Sequence, residues 1–124
     1  MGYESRIIVG RKIVWEKSGL VWFDKLAEMN LAVCGYDFTE IFTTEIESNL
    51  YGDGYMKNSE EGYEFIEDCY GKVCKYTDVQ PVIDWLENAE AKEHYRRFTP
   101  AIAMLKAYAN EKWNGDLVVI HYRY

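Results

Sequence analysis

Proline, histidine and cysteine are scarce in this 124-residue chain, which has 2, 2 and 3 of them, and both long apolar runs and a basic excess are missing. Each absence removes a class of answer. The longest uncharged apolar runs are short, such as Leu117 to Ile120, far below the roughly 20 residues that span a bilayer, so no membrane-spanning helix is expected. The start, Met1-Gly2-Tyr3-Glu4-Ser5-Arg6, carries an acid and lacks the apolar stretch of a secretory signal. Gly2 and Ser5 miss the myristoylation spacing by one position. A small, odd number of cysteines then argues for reduced thiols in a cytoplasm rather than a disulfide framework. With 14 Lys and Arg against 21 Asp and Glu, the formal charge is −7. Direct nucleic-acid binding is disfavoured, because affinity there rests on cation–phosphate contacts. Neither G-x-x-x-x-G-K-[ST] nor G-x-G-x-x-G before a helix occurs, which excludes P-loop nucleotide hydrolysis.

What is present is an ordinary globular share of apolar residues, 48%, with an aromatic share of 16% that exceeds the needs of a core this size. The length suits one domain, 1–124, and leaves no room for a second with its own core. Disordered, collagen-like and low-complexity classes are excluded as well.

Residues 4–15 are rich in β-branched side chains and read as a strand with a kink at Gly10. Leu20, Phe23, Leu26, Ala27 and Met29 approximate a 3.6 period, with Asp24, Lys25 and Glu28 between them, and predict a short amphipathic helix to Asn30. A brief apolar piece, Leu31 to Cys34, follows. Tyr51-Gly52-Asp53-Gly54-Tyr55 has the form of a turn between strand pieces. Phe65 to Tyr70 and Val73 to Tyr76 flank Gly71-Lys72 and predict a hairpin with a type II′ turn. Thr77-Asp78-Val79-Gln80 matches a capping box ahead of a helix over about 78–90, with Val79, Val82, Ile83 and Leu86 inward. Thr99-Pro100 opens a second helix with an inward stripe Ala101, Ile102, Leu105, Tyr108 and Ala109, ending near Asn114-Gly115. The run from Leu117 to Tyr124 is apolar on both faces at its start, as a central strand of a covered sheet would be. The order of elements predicts an α+β fold: a small, mostly antiparallel sheet with about three helices and the first and last strands near each other.

Charge is unevenly distributed. Residues 37–68 hold ten carboxylates against Lys57 alone, which makes −9, whereas the remainder, with 13 bases and 11 acids, carries +2. An acidic surface of this kind with interleaved tyrosines can imitate the phosphate array of nucleic acid and attract a protein with a basic channel. The partner-binding candidates are Glu45, Glu47, Asp53, Glu60, Glu61, Glu64, Glu67 and Asp68, with Tyr51, Tyr55 and Tyr63 as anchors, because aromatic side chains dominate interface energetics. The plainer alternative is a solvated acidic hairpin that serves solubility.

Two further constellations bear on chemistry. His94 and His121, with Arg96, Arg97 and Arg123 beside them, could form a phosphodiester-cleaving acid/base site if the fold brought them together; otherwise each is an ordinary histidine, His121 a strand residue with a satisfied hydrogen bond. Arg96 and Arg97, with His121 and stacking aromatics, could instead line a nucleotide pocket. Cys69 and Cys74 would face each other across the Gly71-Lys72 turn and could bind metal with Cys34 and a histidine, but the spacing fits no C-x2-C zinc pattern and no metal or other cofactor is expected. Asp53-Gly54 lacks the alternating carboxylates of a calcium loop.

Met1 to Ile7, Tyr70-Gly71-Lys72, Tyr95-Arg96-Arg97-Phe98-Thr99-Pro100 and the end from Leu117 to Tyr124 together resemble a family of small tailed-bacteriophage and prophage accessory proteins. The resemblance implies a protein working in the cytoplasm of a bacterial host and carries no catalytic motif onto these residues. Such proteins look like stoichiometric antagonists of host systems, including anti-CRISPR proteins that occupy the nucleic-acid channel of an effector. The leading expectation is therefore a non-enzymatic inhibitor of a host defence protein, a nucleic-acid-binding effector bound through the acidic segment. A small-ligand module or sponge for a nucleotide signal is the second, and a metal-independent phosphodiesterase-like enzyme the third. A homodimer is compatible with all three.

Overall fold

The computed structural model describes residues 4–14, 21–31, 35–46, 55–58, 62–65, 70–93, 98–113 and 116–123. Among them the strands are β1 (Ser5–Val14), β2 (Val21–Leu31), β3 (Thr44–Glu45), β4 (Tyr55–Asn58), β5 (Gly62–Phe65), β6 (Lys75–Asp78) and β7 (Asp116–Arg123). The helices are α1 (Gly35–Thr39), α2 (Val79–Glu93) and α3 (Thr99–Ala109). One sheet holds all these strands in the order β3-β6-β7-β1-β2-β4-β5. The strands pair antiparallel throughout, except that β2 meets β4 in parallel through Phe23↔Met56 and Asp24↔Lys57. The fold is α+β, and the first and last strands are neighbours, with β1 and β7 paired from Ser5↔Arg123 to Lys12↔Asp116.

The predicted helix over 20–30 is instead β2, and the reason lies in its pairing. Val9 pairs with Ala27 and Gly10 with Lys25, so Leu26 is an extra residue on β2 and the register shifts there. A bulge changes which face the alternation addresses. Leu26, Ala27, Met29 and Leu31 belong to the core under the helices, while Phe23, before the bulge, belongs to the core on the opposite face. Apolar residues at 23, 26 and 27 therefore mimic a helical period although the chain is extended. Across the same stretch Arg11 and Asp24 stand opposite each other and form an ion pair at 2.5 Å that holds the register.

Alternation along β1 and β7 builds the two cores. Ile7, Val9 and Val119 pack against Phe38 of α1, against Val79, Val82, Ile83 and Leu86 of α2, and against Ala101, Ile102 and Leu105 of α3. Ile8, Val118 and Ile120 point the other way and pack with Phe23, Ile46, Cys74 and Tyr76. Phe23 and Tyr76 lie three strands apart, which on a flat sheet is about 14 Å at the usual strand spacing. Their ring centroids are nonetheless 5.3 Å apart, so the sheet curls over this second core.

The helices follow the sequence closely, with two differences at their starts. Thr77 and Asp78 are the end of β6, α2 begins at Val79, and Gln80 bonds forward to Asp84 Oδ1 at 2.8 Å instead of back to Thr77 as a capping box requires. Pro81 sits in the first turn of α2, where its missing N–H costs no intrahelical bond. Thr99 likewise does not cap α3; its hydroxyl donates to Glu90 of α2. Helix α3 stops at Ala109, earlier than the expected Asn114, because the Trp113 indole N–H donates to the Tyr108 carbonyl at 2.8 Å and its ring stacks on Tyr108. Ala109, expected inward, is exposed.

The predicted pairing of 65–70 with 73–76 is overturned for β6, whose two flanks are taken by β3 and β7. Gly71 does adopt the positive φ, 76°, that the turn reading required. The turn at 51–54 and residues 66–69, with Cys69, lie outside the described residues, as do residues 32–34.

A methyl group added at Gly10 would lie 3.4 Å from the Asp24 carbonyl oxygen and 3.5 and 3.9 Å from the Ile120 and Val118 side chains, which is ordinary contact. Gly10→Ala is therefore expected to change stability by less than about 1 kcal/mol, whereas Gly10→Ile overfills the second core and costs roughly 1–3 kcal/mol in urea unfolding. Equal losses in the two variants would contradict the close packing described for this face.

Candidate functional site

The pairing registers place one row of residues across the helix-side face: Glu45 on β3, Lys75 on β6, His121 on β7, Ile7 on β1 and Met29 on β2. Exposure falls along it from Glu45 to Ile7. Glu45 and Lys75 are exposed, His121 is 5% exposed and Ile7 is fully buried. His121 thus stands where the core ends and solvent begins.

A pocket of about 420 Å³ opens over the exposed end of this row. Glu45, Lys75 and His121 form its floor, Thr39 and Phe42 enter from α1 and the turn after it, and Lys72, Val73 and Cys74 form the wall leading into β6. Arg123, two residues beyond His121 on β7, closes the remaining side. Three of these nine lining residues are Lys or Arg, against 14 in 124 for the chain, and Glu45 is the acid among them. The lining is richer in cations than the chain as a whole.

Its walls are held from behind. The His121 ring lies 5.0 Å from that of Phe42 and 5.6 Å, edge-on, from that of Phe38, and its Nε2 is 2.8 Å from Ser5 Oγ. Ser5 is fully buried and outside the lining, so no substrate reaches its hydroxyl through the pocket. A serine nucleophile paired with a histidine base needs that access. Here the pair satisfies two polar groups inside an apolar core. At the mouth, the Arg123 guanidinium lies 5.6 Å from the centre of the Tyr70 ring, and Tyr70 is 56% exposed. Glu45 and Lys75 are opposite in register, yet among the described residues they form no ion pair with each other.

The residues singled out in the sequence fare unequally. His121 lies in the pocket floor, as a strand residue with a hydrogen bond, and Glu45 lies beside it. Tyr55 falls in β4, and Tyr63 and Glu64 in β5, at the far end of the sheet order from β3, with Glu64 paired to Met56 and Tyr63 to Lys57 through the backbone. Glu47, Tyr51, Asp53, Glu60, Glu61, Glu67 and Asp68 lie outside the described residues, as do His94, Arg96 and Arg97. Cys34 and Cys69 do too, whereas Cys74 is buried in the pocket wall. Among the described residues, no group of three His, Cys, Asp or Glu comes together in a way that could hold a metal, and no helix is long and apolar enough to cross a membrane.

Lys72, Lys75, Thr39 and Phe42 carried no signal by motif. One compositional cue existed: Lys72 and Lys75 are the first cations after the acidic segment, and the change of sign falls where the chain turns into β6. Comparison with protein families, with curated proteins and with solved structures finds no match to this chain.

The Ser5–His121 contact has a measurable weight. Ser5→Ala and His121→Phe should each destabilise, and their double-mutant cycle should return a coupling of about 0.5–1.5 kcal/mol. Additive losses would mean that the two side chains are not hydrogen-bonded in solution.

Proposed function

We propose that this protein is a non-enzymatic binding module whose pocket takes a small anionic ligand. The presence of Lys72, Lys75 and Arg123 in the lining of one cavity carries the reading, since cations drawn from two chain segments favour an anion that enters it. The burial of Ser5 behind His121, out of reach of the pocket, supports binding over catalysis by that pair. The pocket volume lies within the range of about 300–1,000 Å³ typical of small-molecule sites. Titration with pyrophosphate, followed by calorimetry or amide chemical shifts, tests the reading. Lys75→Ala, at an exposed position that leaves the fold intact, should weaken binding roughly tenfold, the loss of one charge-assisted hydrogen bond. Binding unchanged in a Lys75→Glu, Arg123→Glu variant with a native circular dichroism spectrum would remove the pocket from consideration.

A second reading rests on the charge split, −9 over residues 37–68 and +2 elsewhere. On this reading the protein is a phage accessory protein that inhibits a host defence effector by offering an acidic surface to its nucleic-acid channel, in keeping with the resemblance of its termini. Glu45 would then belong to the acidic surface rather than to the pocket. Glu61→Lys, Glu64→Lys, Glu67→Lys should abolish capture of such an effector in native mass spectrometry while leaving pyrophosphate binding unchanged. Full capture by that variant would end the mimicry reading.

A further inference from the structure

We infer that the ligand of this pocket is a zwitterion, an α-amino acid with an apolar side chain, an inference that rests on the anion-binding reading above and adds an ammonium site to it.

Glu45 and Lys75 bring the two signs of charge together. The Ile46 amide donates to the Cys74 carbonyl at 3.1 Å, so 46 and 74 are a hydrogen-bonded pair of the antiparallel ladder and Glu45 and Lys75 are the non-hydrogen-bonded pair beside it. In such a pair the Cα atoms are about 4.5 Å apart and the two side chains stand closest on their shared face. Here the pair is an acid and a base, both residues are exposed, and both line the cavity. They form no ion pair with each other, and neither side chain takes another partner among the described residues.

An exposed pair gains little by closing on itself, so a ligand that bridges the two heads gives up no contact in doing so. Its carboxylate meets Lys75 and its ammonium meets Glu45, each through charge-assisted hydrogen bonds. Neighbouring side chains of opposite sign call for opposite charges close together on the ligand, as an α-amino acid carries them on one carbon. A purely anionic ligand on Lys75 also faces the Glu45 carboxylate, and like charges at that separation lower its affinity. Lys72 and Arg123 have interactions of their own, Arg123 over the Tyr70 ring, and the bridge requires neither.

The apolar side chain follows from the rest of the lining. Tyr70 and Val73 are the exposed large hydrophobic residues among those described; Tyr70 is outside the lining, whereas Val73, at 43%, is part of it together with Phe42. A ligand side chain laid on Val73 removes that surface from water. The cavity, at about 420 Å³, has room for such a side chain beside the charged end.

The test is a titration of the full chain with glycine, leucine and phenylalanine, read by calorimetry or amide chemical shifts. Each of the last two is compared with its analogue lacking the ammonium, 4-methylpentanoate or 3-phenylpropanoate, and its analogue lacking the carboxylate, 3-methylbutylamine or 2-phenylethylamine. The better of leucine and phenylalanine should bind at least about tenfold tighter than either of its analogues and tighter than glycine. Glu45→Gln should bring that amino acid down to the affinity of its carboxylate analogue, and Lys75→Gln down to that of its amine, both with native circular dichroism spectra because the positions are exposed. Equal affinity for the amino acid and its carboxylate analogue, or full amino-acid binding by Glu45→Gln, would overturn the inference. Binding of pyrophosphate without any of the amino acids would overturn it too and leave the anion pocket standing. Failure of every probe, pyrophosphate included, would overturn the anion pocket itself.

Discussion

The architecture depends on the bulge at Leu26, opposite the Val9–Gly10 step. Without the extra residue, β1 and β2 would keep a single alternation along their length, and Phe23 would leave the face it now covers. With it, the longest ladder of the sheet bends in its middle. One half presents Ala27, Met29 and Leu31 to the helices, and the other sends Phe23 across the opposite face to meet Tyr76. A seven-stranded sheet with helices on one side would otherwise leave the other side's apolar residues to solvent. Curling provides part of their cover, and Gly10, in the bend beneath, leaves room for Ile120 and Val118.

The pocket follows from how β6 and β7 are joined. Two helices connect them, α2 leaving β6 without a loop and α3 returning toward β7, so the strands run antiparallel side by side with both helices over one face. The helices cover the rows through Val9 and Val119 and leave the Lys75–His121 end to α1 and the segment before β6. A five-residue helix covers less than a full row, and the uncovered remainder is the cavity. Because β7 is central, the floor of this cavity is also part of the core, and His121 is fixed by Ser5 and two phenylalanine rings. Rigid support beneath exposed cations keeps their positions defined, which lowers the ordering cost of binding.

Much of this was legible in the sequence where one local principle dominates. β-branched density gave β1 and β7, the apolar spacing from Val79 to Leu86 gave α2, and the Thr99-Pro100 start with its inward stripe gave α3. Their order alone implied the α+β class. Misreadings occurred where tertiary pairing overrode a local pattern: the bulge disguised β2 as a helix, and β6 took β3 and β7 as partners instead of the residues just upstream. The site was less legible still. His121 and Glu45 were singled out, but for different roles, and their meeting depends on β3 pairing with β6 and β6 with β7, contacts between residues 30 and 46 positions apart at Glu45↔Lys75 and Lys75↔His121. Lys72 and Lys75 belong to no motif, because a pocket assembled from three strands and a short helix has no fixed spacing in sequence.

An anion pocket in a chain of charge −7 raises a question of sign. At physiological ionic strength the screening length is about 8 Å, so exposed charges farther away act weakly on a group in the pocket. Nearest are the charges of the lining itself, which among the described residues are Lys72, Lys75 and Arg123 with Glu45. The fold divides the acidic segment rather than setting it apart: Glu45 on β3 stands beside β6 at one edge of the sheet, while Glu64 on β5 stands at the other. The curl that brings Phe23 of β2 to 5.3 Å from Tyr76 of β6 also shortens the path between those edges across the second core. Pocket and acidic segment therefore share Glu45, and its substitution alters both.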